Sequence, residues 1–160
     1  MLTLEQMIIR LVIALVLGFI MGFERELIGK EAGVRTCMMV ASGAAIFAMI
    51  SISLPYIVAL SPENLTDVIA RNSGFLGVVA NIVVGIGFLG AGIIIKTEER
   101  VRGVTTAALI WVVASIGALV GLGLEWFAIF SAFAITVVLY FLRNLNVAQK
   151  AIDKKKEGVN

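Results

Sequence analysis

Two stretches of this chain, Met38 to Leu60 and Gly74 to Ile95, contain no charged residue. Each exceeds the roughly 20 apolar residues an α-helix needs to cross the hydrocarbon core of a bilayer. In that core every backbone amide and carbonyl must be paired within the chain, which favours helices for runs of this length. The remainder agrees: of 160 residues, 60% are hydrophobic and 15% charged, with a mean hydropathy of +1.03. A soluble domain carries roughly 25% charge, so this chain could not cover itself in water.

Five spans are predicted, at about Met7 to Phe23, Thr36 to Ala59, Phe75 to Ile95, Val104 to Leu124 and Phe127 to Leu142. The expected fold class is all-α, a polytopic helical membrane bundle with about five transmembrane helices. Residues 1–142 make the transmembrane domain and 143–160 a short basic tail. The start, Met1-Leu-Thr-Leu-Glu-Gln, lacks a basic region, and no small-residue cleavage site follows the first apolar stretch. The first helix is therefore expected to stay in the membrane. Pro55 is expected to kink or end the second helix, and the fourth and fifth spans are close enough in sequence to form a tight antiparallel hairpin.

Loop charges orient the bundle, because cytoplasmic loops collect Lys and Arg. Arg25, Lys30 and Arg35 follow the first span, Lys96, Arg100 and Arg102 follow the third, and Arg143, Lys150 and Lys154 to Lys156 follow the fifth. In a five-span chain these lie on one side, which places the N-terminus outside and the C-terminus in the cytoplasm. Tyr56, Trp126 and Tyr140 fall near the expected interfaces. The expected location is the cell inner membrane, with the lipid bilayer as first partner.

Small residues are grouped. Gly18 with Gly22 and Gly117 with Gly121 keep the four-residue spacing that lets helices approach closely, and Ala41, Ser42, Gly43, Ala44, Ala45 and Ala48 thin the second helix. They point to a compact bundle and to a homodimer. The run Gly85-Ile86-Gly87-Phe88-Leu89-Gly90 matches a dinucleotide fingerprint in letters only, since that motif works between a strand and a helix. With Gly92, these glycines mean either helix packing or an unwound, ion-lining segment. Asn81 is the strongly polar side chain deep in a span, read as an interhelical hydrogen bond or as a cation or substrate contact. Arg10 is expected to snorkel to the outer surface beside an acid such as Asp67 or Glu125.

The densest constellation is Glu24-Arg25-Glu26 with Lys30, Glu31 and Arg35. Carboxylates at the partially negative C-terminal end of a helix need compensation. Arg35, Lys96 and Arg102 are candidate partners in an ion-pair network; a magnesium ion on Glu24 and Glu26 is the alternative. Thr36, Thr105 and Thr106 follow glycines and open helices, so they are expected to cap free amides or to contact an anion. Gly33-Val34-Arg35-Thr36 is faintly echoed by Gly103-Val104-Thr105-Thr106, which suggests an internal repeat. With no histidine, no phosphate-binding loop and a lone Cys37, neither hydrolytic, zinc nor redox chemistry is expected. The chain reads as a non-enzyme, without nucleotide or nucleic-acid partners.

Four blocks in order, Gly22-Phe-Glu24-Arg25-Glu26 with Ala32-Gly33-Val34-Arg35-Thr36, Gly85-Ile-Gly87-Phe-Leu-Gly90-Ala-Gly92, Val101-Arg102-Gly103-Val-Thr105-Thr106 and Trp111, resemble the MgtC/SapB family over about residues 5 to 142. The resemblance implies a bacterial inner-membrane protein linked to magnesium homeostasis. The sequence departs from the family pattern at Cys37, where relatives often have histidine, at Asn81, where glutamine is common, and around Asp67 and Arg71. Many relatives continue into a soluble C-terminal domain, whereas this chain ends 18 residues after Leu142. The leading expectation is a regulator that binds another membrane protein; the alternative is direct transport of magnesium or another small ion.

Overall fold

Helix-forming runs flanked by capping residues set the architecture. A computed structural model describes residues 2–59, 66, 68, 69, 74–98 and 100–157, with side chains except at 74–76 and 145–157. Among these residues lie five long helices: α1 (Leu4–Leu27), α2 (Val34–Val58), α3 (Gly74–Ile93), α4 (Val104–Leu122) and α5 (Glu125–Glu157). Thr3 and Gln6 close a reciprocal capping box on α1, each side chain accepting the other's backbone amide. Pro55 sits in the last turn of α2, and the helix ends three residues later. Gly123, in the left-handed conformation, ends α4, and its amide reaches back to the last turn. Only Gly123 and Leu124 then separate α4 from α5, which is the tight hairpin expected.

Four of the helices are long and apolar enough to cross a membrane by length and composition: α1, α2, α4 and the Glu125–Asn144 part of α5. The fifth, α3, has 20 residues without a charge, about 30 Å of helix, which matches a hydrocarbon core. The chain is thus a multi-pass helical membrane bundle. α5 runs without interruption past Leu142 to Glu157, so the segment expected as a tail begins as a continuation of the last helix. Asp67 and Arg71, and the side chains of Lys150 and Lys154 to Lys156, lie outside the described residues.

The core is built on α2 and α4. Half or more of their apolar stretches is buried, against 11% for α5. Gly18 and Gly22 of α1 are set against the α2 backbone: a Cβ on Gly18 would meet the Cys37 carbonyl oxygen at 2.7 Å, and one on Gly22 the Val34 Cα at 2.6 Å. From the other side, Gly117 and Gly121 of α4 abut the carbonyl oxygens of Ala41 and Ala45. The two glycine pairs and the alanine-rich helix between them read in the sequence form one tightly packed stack. Between the backbones, Leu17, Met21, Leu109, Val113, Ile116 and Val120 fill the interior.

One connection was not anticipated. Ile95–Lys96 (β1) pairs antiparallel with Val101–Arg102 (β2), Ile95 opposite Arg102 and Lys96 opposite Val101. Thr97 supports the turn, its backbone amide and its hydroxyl both donating to the Arg100 carbonyl.

Candidate functional site

The charged residues gather at the end of the bundle that holds the α1–α2 loop, the hairpin and the start of α4. Glu24 and Arg25, in the last turn of α1, are drawn inward. Arg25 is 5% exposed, and its Nε lies 3.2 Å from Glu24 Oε2. Those two buried atoms attract by charge without hydrogen-bond alignment. The second Glu24 oxygen, Oε1, accepts from Arg143 of α5 at 3.5 Å, and the Arg143 guanidinium also stacks over the Tyr140 ring at 5.1 Å. A carboxylate at a helix C-terminus is thus compensated by two guanidiniums, one of them 119 residues away in sequence.

Glu26 serves a different helix. Its Oε2 accepts the backbone amide of Val34 at 2.7 Å, the first amide of α2, which Gly33 has no side chain to cap. A Cβ on Gly33 would meet the same oxygen at 2.7 Å, so the glycine makes room for the carboxylate. Glu31, in the following loop, accepts the hydroxyl of Thr106 at 2.8 Å; Thr106 is itself buried in the first turn of α4. Its own backbone amide and the Thr106 hydroxyl, with Lys30 and Arg102 nearby, hold the Glu31 carboxyl below its ordinary value of 4.5. Gly33-Val34 and Gly103-Val104, the echoed segments of the sequence, do open α2 and α4 alike, and each opening turn receives a carboxylate.

Arg35 is exposed on α2. Thr36 and Thr105 lie inside the first turns of their helices rather than at the cap positions, which Gly33 and Gly103 hold. Lys96 and Arg102 occupy the hairpin and, being at non-paired positions of opposite strands, project to opposite faces. Arg102 turns to the α1–α2 loop: with Lys30, Glu31, Thr105 and Thr106 it lines a polar cleft of about 430 Å³. Among the described residues no ion pair joins Arg35, Lys96 or Arg102 to Glu24 or Glu26. Two residues apart on a helix, Glu24 and Glu26 do not face each other, and each is held by donors of the chain itself. As arranged they form no shared cage for a magnesium ion.

Within the membrane, α3 is an unbroken helix through Gly85, Gly87, Gly90 and Gly92. A Cβ on Gly90 would stand 3.6 Å from the Ala107 Cβ, while Gly85, Gly87 and Gly92 have nothing within 4 Å of where a Cβ would stand. α3 is flanked by two apolar grooves. One, of about 310 Å³, lies against α4 and is lined by Val83, Ile86 and Trp111; the other, of about 630 Å³, lies against α2 and is lined by Gly43, Phe47, Asn81 and Gly85. Trp111 is half exposed, and Asn81 is exposed with no hydrogen bond inside the chain.

At the opposite end Arg10 closes the bundle. Its Nε pairs with Glu125 Oε1 at 3.1 Å, and its Nη1 donates to the Gly121 carbonyl at 2.9 Å. That carbonyl is one of those left unpaired at the end of α4, and Glu125 is in the first turn of α5. Sequence reasoning named this acid as a candidate. It missed Arg143 and the Glu31–Thr106 contact, for which the spacing of residues carries no signal.

The MgtC family model matches residues 11–148. Among curated proteins the chain is 33% identical to "Putative magnesium transporter YhiD" of Escherichia coli K12, over 88% of this chain and 62% of that protein. It is 40% identical to Protein MgtC of Brucella abortus, over 77% of this chain and 45% of that one. Protein SrpB of Synechococcus elongatus is 35% identical, over 85% of this chain and 74% of its own length. The chain thus spans less than two thirds of the length of the first two. No solved structure matches it.

Proposed function

Because the chain belongs to the MgtC family, we propose that it is a multi-pass protein of the bacterial inner membrane that serves magnesium homeostasis by regulating another membrane protein. In this reading the N-terminus faces outward and the charged end, with the hairpin and the α1–α2 loop, faces the cytoplasm. It works as a binding protein without catalysis of its own. The magnesium link draws on the family and on the name of one relative.

The packing of α1, α2 and α4 carries the choice of regulator over carrier. Gly18 and Gly22 bring α1 onto the α2 backbone in its opening turns, and Gly117 and Gly121 bring α4 onto it further along, at Ala41 and Ala45; the side chains of the core cluster between them are apolar. A hydrated divalent cation needs several oxygen ligands and keeps several waters; among the described residues the buried polar side chains of α2 are three serines, Ser42, Ser51 and Ser53, and no carboxylate is buried in the core. The surface available to a partner includes the α4 side of α3, where Trp111 stands half exposed over an apolar groove. A second reading, direct ion transport, rests on Asn81 in the wider groove beside α2.

Growth under magnesium limitation tests the proposal. A strain lacking this chain should grow poorly in low magnesium and recover when the chain is restored. Trp111→Ala, an aromatic-anchor loss of the kind that weakens binding most, should reach the membrane in normal amount yet fail to restore growth. Growth independent of the chain at every magnesium level would contradict the proposal.

A further inference from the structure

Asn81 is an exposed amide on a membrane helix with no hydrogen bond inside its own chain. α3 runs Gly74–Ile93, so Asn81 lies 2.5 residues from the helix midpoint, about 4 Å along the axis. At that depth the lipid offers no donor or acceptor, and an unpaired amide is costly. An acyl chain lying in the adjoining groove would leave that cost in place.

We propose that α3 of a second copy of this chain packs against α3, with the two Asn81 amides hydrogen-bonded to each other near the middle of the membrane. An amide carries both donors and an acceptor, so it complements itself across a two-fold axis, as an isologous contact requires. The backbone on either side suits the approach. Gly77 and Gly85 stand four residues before and after Asn81 on the same face, and a Cβ at either would meet nothing within 4 Å. Two helices crossing there can come within backbone contact. The α2–α3 groove adjoins that face with about 630 Å³ of apolar space, and Phe88, 82% exposed one helical turn beyond Gly85, supplies bulk to enter it. The Trp111 side of α3 stays free, so this contact is separate from the partner-binding surface described above.

Cysteine cross-linking of the full chain in native membranes tests the proposal. In a Cys37→Ala background, Val84→Cys places a thiol on the α3 face and leaves Asn81 intact. Oxidation should give a disulfide-linked dimer, with little or none from Val16→Cys on α1 or Phe130→Cys on α5. Adding Asn81→Leu should weaken association about 5- to 30-fold, the loss of one interhelical polar pair of about 1–2 kcal/mol, while Asn81→Gln should keep most of it. Asn81 makes no contact of this kind within one chain, so monomer unfolding should be unchanged by either variant. No dimer from Val84→Cys, dimers from Val16→Cys or Phe130→Cys instead, or equal dimer yields with and without Asn81→Leu would each overturn the proposal.

Discussion

Glu31 is exposed, yet it takes the hydroxyl of a threonine buried in the first turn of α4. Its carboxyl titrates below 4.5 because its own backbone amide and Thr106 favour the charged form. A group whose folded value is depressed stabilises the fold above its unfolded value and loses that contribution as pH falls through the folded one. Thermal unfolding in detergent should therefore show wild type above Glu31→Gln by a constant margin at neutral pH, narrowing only below about 4.5. A margin that widens on acidification would contradict this. At the other end, Arg10→Ala removes a charged hydrogen bond to the Gly121 carbonyl and a partner of Glu125. It should cost about 1–3 kcal/mol, and a double-mutant cycle with Glu125→Ala should show coupling between the two.

Among the elements, α3 carries six glycines in 20 residues and α4 only two in 19, and the two helices use them differently. A methyl at Gly117 would be driven into the Ala41 carbonyl, so Gly117→Ala should force α4 from α2 at about 1–3 kcal/mol. Gly87→Ala should leave unfolding unchanged to within about 0.5 kcal/mol, since nothing lies near it. Equal effects in an unfolding assay would show that the stack is not what holds the bundle. The spans, the tight α4–α5 turn and the glycine pairs at Gly18 and Gly117 follow from apolar run length and four-residue spacing, which are local. The β1–β2 hairpin did not follow, because strands of two residues have no periodicity to read. Nor did the partners of Glu24 and Glu26: charge counting says that compensation is near, but whether it comes from Arg143 or from a backbone amide depends on how helices far apart in sequence dock.

Basic residues of the α1–α2 loop, the hairpin and Arg143 share one end, and the proposed orientation sets that end in the cytoplasm because cytoplasmic loops collect Lys and Arg. In intact cells an impermeant thiol reagent should therefore label Thr3→Cys and spare Glu98→Cys; the reverse pattern would invert the bundle. The proposed mode of action rests on the close packing of α1, α2 and α4. Purified full-length chain in liposomes, loaded with a magnesium-sensitive dye, tests it most directly. The packing predicts magnesium entry no faster than in protein-free vesicles, and rapid entry dependent on the chain alone would contradict regulation and establish it as a carrier.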